Sequence, residues 1–137
     1  MKISEFTFEF EGAPPGLNQM LKDSRIKRGV VYNEKKKDWE WIIRAAITRP
    51  WPKFKGPVAV EFIRGWCGQP LDMDNVSPKY ILDALARMGV IEGDDPKIVR
   101  AILLKQKRYS TRDKVRSSVN LYSLAPGEAV DILISSS

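Results

Sequence analysis

Two pairs of aspartates are the residues whose type and spacing could bind a metal ion. Asp72 and Asp74 are separated by one residue, and Asp94 and Asp95 follow later in the chain. Residues two apart in an extended chain project to the same side, so Asp72 and Asp74 are expected to face one ion. Hard divalent cations such as Mg²⁺ prefer carboxylate oxygens. Each pair alone is also common turn chemistry, so a metal site requires the two pairs to meet.

A predicted helix between the pairs is the element that would bring them together. Ser77 is expected to cap it, Pro78 occupies its first position, and it runs to Met88 with Gly89 behind it as a stop signal. Its apolar face comprises Tyr80, Ile81, Ala84, Leu85 and Met88. Lys79 lies on the opposite, polar side. A strand before this helix and a turn after it could place both aspartate pairs at the same end of a sheet.

Apolar patterns predict the remaining elements. Two-residue alternation and apolar runs indicate strands at Phe6 to Glu11, Pro57 to Trp66, Ile98 to Leu104 and Val115 to Leu124, the last two antiparallel to each other. A second helix begins at about Asn33 and is ended by Pro50, whereas residues 13–29 are predicted to form a surface loop. Ile132 to Ile134 form either a short edge strand or a frayed tail.

These elements predict an α+β fold. We expect a single mixed, largely antiparallel sheet of four or five strands with two main helices, in the order βαβαββ. A length of 137 residues with 43% hydrophobic residues fits one domain spanning 1–137.

Composition excludes several chemistries. The chain has no histidine, which rules out Ser-His-Asp triads, histidine zinc sites and histidine general bases. Cys67 is the single cysteine, and neither an export signal nor an apolar run long enough to span a bilayer is apparent, so a cytoplasmic location is expected and a membrane partner is not.

Net charge points to a polyanionic partner. The net charge is +6 and the isoelectric point is about 9.5, and Lys and Arg side chains displace the counterions of a phosphate backbone. The candidate nucleic-acid-binding residues are Arg25, Lys27, Arg28, Lys105, Lys107, Arg108, Arg112 and Lys114.

The central motif is similar to that of the RusA family of Holliday-junction resolvases, endonucleases common in phages and prophages. The segments that carry the resemblance are Leu71 to Val76, Lys79, Leu82 to Leu85, Gly89 to Ile91 and Asp94-Asp95, with Pro15 and Asn18 as weaker matches. Pro78 adds one residue between Asp74 and the lysine, and the residues directly before Asp72 are not basic, which departs from the family pattern.

This resemblance implies a function. Asp72, Asp74 and Asp95 would be catalytic metal-binding carboxylates, Asp94 a weaker metal candidate, and Lys79 the catalytic lysine. The cofactor would be Mg²⁺, with Mn²⁺ as a substitute and no small-molecule cofactor. The protein would be a homodimer that resolves four-way junctions and related branched DNA in recombination and repair. The alternative is a non-catalytic, basic nucleic-acid-binding protein whose aspartates only shape turns.

Structural roles are expected for several neighbours of the motif. Asp83 is expected to pair with Lys79 or Arg87 at helical spacing. Asn75 is expected to cap or brace its loop, and Trp39 to pack in the core.

Overall fold

The computed structural model describes residues 5–48 and 50–124, which form an α+β fold as the sequence predicted. The four strands in these ranges are β1 (Phe6–Glu11), β2 (Val58–Trp66), β3 (Val99–Arg108) and β4 (Arg116–Ser123). The helices are α1 (Leu17–Arg25), α2 (Val30–Ala46) and α3 (Lys79–Met88), of which α2 and α3 are the two that the sequence predicted. Short 3-10 turns are formed by Met73–Asn75 and Arg112–Lys114, whereas Ile26–Gly29 is a kink between α1 and α2 at which Lys27 and Arg28 have positive φ. The segment Ile132 to Ile134 lies outside the described residues. No helix of the described ranges combines the length and hydrophobicity needed to cross a bilayer.

The sheet is mixed, with strand order β1-β4-β2-β3. β4 pairs antiparallel with both β1 and β2, whereas β2 and β3 are parallel. The prediction that β3 and β4 pair with each other is therefore wrong, because β2 lies between them. The connection from β2 through α3 to β3 is a crossover that favours parallel neighbours. β4 then occupies the place between β1 and β2.

The core lies between one face of the sheet and the helices. Val58, Val60 and Phe62 alternate along β2 onto this face and are fully buried. The whole predicted apolar face of α3 is buried, and all of its members except Tyr80 belong to the same core cluster. Trp39 on α2 packs on this core, with its ring edge-on to Phe10 at a centroid distance of 5.9 Å, which confirms its predicted core position.

Helix α1 was missed, since residues 13–29 were expected to be a loop. Leu17, Met20 and Leu21 do stand at helical spacing, but this apolar pattern spans little more than one turn, and Met20 alone of the three is buried. Instead, the buried Asp23 accepts a hydrogen bond from Lys35 Nζ on α2 at 2.7 Å. This contact between distant residues holds α1 in place and cannot be read from a local pattern.

The end of α3 agrees with the prediction, whereas its start lies one residue later than predicted. Pro78, which was expected to be the first helical residue, is the N-cap, and the helix begins at Lys79. Ser77, which was expected to be the N-cap, precedes it, and Ser77 Oγ accepts a hydrogen bond from the Lys79 N–H at 3.3 Å. Gly89 ends it with a φ of 78°, a left-handed conformation that glycine adopts without steric cost. The Lys79 backbone is thereby placed at the first position of α3, four residues after Asn75.

Candidate metal and nucleic-acid site

Asp72 to Asn75 form a tight turn, here named the first aspartate turn. Asp72 is extended, with ψ of 145°, and Met73–Asn75 make one 3-10 turn closed by the Asn75 N–H to Asp72 O bond of 2.9 Å. The expectation of an extended Asp72 to Asp74 segment is therefore wrong. Both carboxylates are exposed, and no ion pair between described residues involves either one. Their oxygens are thus accessible to a cation.

Gln106 on β3 holds the residue that precedes this turn. Its Nε2 donates to the Leu71 carbonyl at 2.6 Å, and its Oε1 accepts from the Leu71 N–H at 3.1 Å. The side-chain amide thus pairs with one backbone residue as a neighbouring strand would. Arg64 on β2 orients this amide, because its Nη1 donates a hydrogen bond to Gln106 Oε1 at 3.3 Å. The Arg64 side chain is itself held by a second hydrogen bond, from Nε to the Pro14 carbonyl at 2.8 Å. The first aspartate turn is therefore anchored to the sheet.

Asn75 anchors the other end of the turn to α1. Its Oδ1 accepts a hydrogen bond from the Asn18 N–H at 2.8 Å, which confirms the predicted bracing role. The two segments approach closely at Gly16, where an added Cβ would lie 2.7 Å from Asn75 Nδ2 and 2.8 Å from the Asn75 carbonyl oxygen. The absence of a side chain at Gly16 is what allows this approach.

Asp94 to Lys97 form the second aspartate turn, which precedes β3. Asp95 Oδ1 accepts from the Lys97 N–H at 2.9 Å, and its carbonyl accepts from the N–H groups of Ile98 at 3.0 Å and Val99 at 2.9 Å. Asp94 and Asp95 are both exposed. The hydrogen bonds that shape this turn thus come from its own and the next residues.

The two turns lie at opposite ends of the sheet in one chain. β2 and β3 are parallel, and the first turn follows β2 while the second precedes β3. At about 3.3 Å per residue, the length of β3 from Val99 to Gln106 separates their anchoring points by roughly 23 Å. Accordingly, the described residues contain no group of three metal-binding side chains close enough to hold one ion. The expectation that α3 brings both pairs to one end of the sheet is not met within a single chain.

Lys79 is the first residue of α3 and follows the first aspartate turn by four residues. Its side chain is 52% exposed, and Nζ is 3.9 Å from Asp83 Oδ2, which is the expected pairing. Lys36 Nζ approaches the same oxygen at 3.6 Å, whereas Arg87 pairs with Glu40 at 2.7 Å. Asp83 therefore holds two ammonium groups near the start of α3.

A buried polar cluster lies at the start of α3. The Tyr80 ring packs on Tyr32 at a centroid distance of 5.6 Å, and the buried Tyr80 hydroxyl has no hydrogen-bond partner in the described ranges. Burial raises the pKa of Tyr80 to about 12 and also raises the pKa of Tyr32. The hydrogen bond from Lys35 lowers the pKa of Asp23. The structure thus keeps Tyr80 neutral and Asp23 charged.

The predicted nucleic-acid-binding residues occupy two regions of the surface. Arg25, Lys27 and Arg28 are exposed at the junction of α1 and α2. Also exposed, at the far end of β3 and on the link to β4, are Lys107, Arg108, Arg112 and Lys114. Lys105 differs, because its Nζ is 2.8 Å from Glu61 Oε2 and its charge is already paired.

Sequence reasoning missed two residues that position the site. Arg64 and Gln106 are register partners on adjacent parallel strands, which no local pattern indicates. The available signal was the presence of polar residues near the ends of two apolar strands. Such residues are often merely solvated, so the signal is weak.

Comparison with known proteins found no family model and no curated protein that matches the chain.

Proposed function

We propose that the protein is a magnesium-dependent endonuclease that cuts branched DNA as a homodimer, in line with its resemblance to RusA resolvases. The observation that carries this proposal is the first aspartate turn, which is anchored at both ends by contacts to β3 and α1 and carries two exposed carboxylates. Two accessible carboxylates on an anchored turn, followed closely in the chain by a lysine, suit metal-assisted phosphate chemistry.

The donor set fits a hard cation. Asp72 and Asp74 offer carboxylate oxygens from one turn, and Asp95 would complete the set. Mg²⁺ or Mn²⁺ held there would supply Lewis acidity toward water and the scissile phosphate. Lys79, which keeps half of its side chain exposed, would stabilise negative charge that develops on the phosphate oxygens.

A second subunit would bring the third carboxylate. Since the two turns lie at opposite ends of the sheet in one chain, Asp95 of one subunit would join Asp72 and Asp74 of the other. A two-fold axis makes such sharing reciprocal and produces two equal sites. Two symmetric nicks are what the resolution of a four-way junction requires.

The first experiment tests the carboxylates. A labelled four-way junction and a linear duplex are incubated with the protein in Mg²⁺ and in EDTA. Asp74→Asn is expected to slow nicking at least about hundredfold, because the metal contributes several kcal/mol to transition-state stabilisation. Asp113→Asn is the matched control, since Asp113 is also an exposed aspartate in a 3-10 turn. Unchanged nicking by Asp74→Asn would defeat the catalytic assignment.

The second experiment tests sharing between subunits. Asp74→Asn and Asp95→Asn proteins, each expected to be inactive, are mixed under conditions that exchange subunits. Heterodimers then contain one intact and one doubly altered site, so nicking should recover to about a quarter of the wild-type rate. Mixtures that stay inactive, although exchange is demonstrated, would show that Asp95 is not donated by the partner subunit.

The distance between the turns in one chain also favours the second candidate function, a DNA-binding protein without catalysis. Under this alternative, the protein binds junctions equally in Mg²⁺ and EDTA and nicks neither substrate. Both candidates require binding to weaken steeply as salt rises, because phosphate contacts release counterions.

A further inference from the structure

A groove of about 240 Å³ opens beside the end of β2. Its side-chain lining comes mainly from Arg64, Trp66, Cys67, Gln69, Arg112 and Val115. The lining thus contains two arginines and no carboxylate. A concave surface with this charge would attract an anion.

Arg64 is the more informative of the two arginines. Its side chain is half-buried, and its two hydrogen-bond acceptors, the Pro14 carbonyl and the Gln106 amide oxygen, are both neutral. No ion pair between described residues includes it. Burial lowers its pKa, which reflects the cost of removing this cation from water. An anionic ligand would supply the missing counterion and offset the cost of partly desolvating this guanidinium.

The donor groups of the groove favour a phosphodiester. Arg112 is exposed on the 3-10 turn before β4 and lines the same groove as Arg64, so the two guanidinium groups are available to one ligand. The planar guanidinium fork matches the oxygens of a phosphate group. Arg108 lies 6.0 Å from the centre of the Trp66 ring, so the rim of the groove continues into the exposed basic end of β3. An extended polyanion could follow this surface.

We propose that this groove binds a backbone phosphate of DNA, with Arg64 and Arg112 as its ligands. The inference rests on the proposed function and extends it, because Arg64 also fixes Gln106, which holds Leu71 directly before the first aspartate turn. A strand anchored in the groove would therefore be held at a fixed position relative to the candidate carboxylates.

Cys67 provides a direct test. It is the single cysteine of the chain, it is partly exposed, and it lines the groove. Its alkylation rate by N-ethylmaleimide, a neutral reagent that DNA charge does not repel, is measured in EDTA with and without a four-way junction. Anisotropy of a labelled junction establishes that the protein is saturated. We expect bound DNA to slow alkylation several-fold. Alkylation that is equally fast in saturated protein would overturn the proposal.

Arginine variants test the ligands. Arg64→Gln and Arg112→Gln should each weaken junction binding and reduce the slope of log affinity against log salt by about one, as expected for one lost phosphate contact. Each should also reduce the protection of Cys67 at equal DNA concentration. Arg100→Gln is the matched control, because Arg100 is exposed at the start of β3 and does not line the groove. An equal loss of protection in Arg100→Gln would contradict the assignment of Arg64 and Arg112.

Folding and catalysis are separated in this design. Thermal melting reports whether Arg64→Gln folds, and if it does not, the exposed Arg112→Gln decides the outcome. Protection of Cys67 in a protein that never nicks DNA would support the groove and count against the nuclease. Nicking by a protein whose Cys67 stays unprotected would support the nuclease and count against the groove.

Discussion

The two aspartate turns contain the same chemical groups but are held by different means. The first is fixed from outside, by the Gln106 side chain on one flank and by the N–H group of Asn18 on the other. The second is shaped by an Asp95 carboxylate that accepts a hydrogen bond from Lys97, two residues further on. One turn is thus positioned by tertiary contacts and the other by local turn chemistry.

This difference suits the two turns to different roles in a metal site. Metal ligands must be held within a fraction of an ångström, which the supports of the first turn can provide. A turn that is stabilised by hydrogen bonds among its own residues needs no support from the rest of its subunit. It can therefore present a metal ligand to a second subunit. Substitutions that disturb the supports of the first turn should therefore cost more activity than equal substitutions at the second.

Among substitutions that leave the aspartates in place, Gly16→Ala is expected to have the largest effect. Its Cβ would lie 2.7 Å from Asn75 Nδ2 and 2.8 Å from the Asn75 carbonyl oxygen, so the turn must move. The Gly16 φ of −78° suits alanine, which leaves steric overlap as the cause. We expect the free energy of unfolding to fall by about 1–3 kcal/mol in urea titrations. Nicking should slow at least about tenfold.

Gly93→Ala is the matched substitution at the second turn. The added Cβ would lie 3.2 Å from Asp95 Oδ2, so this carboxylate needs to shift by only a few tenths of an ångström and can keep the hydrogen bond that Oδ1 accepts from Lys97. Nicking should stay within about twofold of wild type, as for an ordinary surface substitution. Equal losses in the two variants would mean that the first turn needs no more precision than the second.

Gln106→Leu should have an intermediate effect. It removes both hydrogen bonds to Leu71 while nearly preserving side-chain volume, so stability should fall by about 1–3 kcal/mol. The loosened turn should raise the Mg²⁺ concentration needed for half-maximal nicking, which a metal titration measures. Gln106→Glu, which keeps an acceptor for the Leu71 N–H, should shift this concentration less. A loss of stability with no change in metal dependence would reduce Gln106 to a purely structural role.

Local patterns predicted the elements of this fold better than their arrangement. The buried face of α3 and the alternation of β1 follow from helical and strand periodicity, and both were correct. Helix α1, which was not predicted, and the position of β4 beside β2 instead of β3 depend on contacts between distant residues. The ion pair between Asp23 and Lys35 is one such contact. Periodicity has no access to such contacts.

The candidate site shows the same division. Asp72 and Asp74 were recognisable from residue type and spacing, and the bracing role of Asn75 from its side-chain chemistry. The distance between the two turns was not predictable, since it follows from the parallel pairing of β2 and β3. The same pairing places Arg64 beside Gln106, so the anchoring of the first turn could be seen only in the folded chain.

Tyr80→Phe should have the smallest effect, because it alters the helix that follows the first turn without touching a hydrogen bond of the turn. The buried Tyr80 hydroxyl has no partner in the described ranges, so stability at neutral pH should change by less than about 1 kcal/mol.

At high pH the variant should differ from wild type. The pKa of Tyr80 is raised to about 12 in the folded protein, whereas an unfolded tyrosine ionises near pH 10. Stability that is fully present below pH 10 is thus lost as pH rises toward 12. Urea midpoints of Tyr80→Phe should decline less over this range, while Tyr109→Phe, which retains Tyr80, should follow wild type. An alkaline decline as steep as that of wild type would show that Tyr80 ionisation does not weaken the helix beside the first turn.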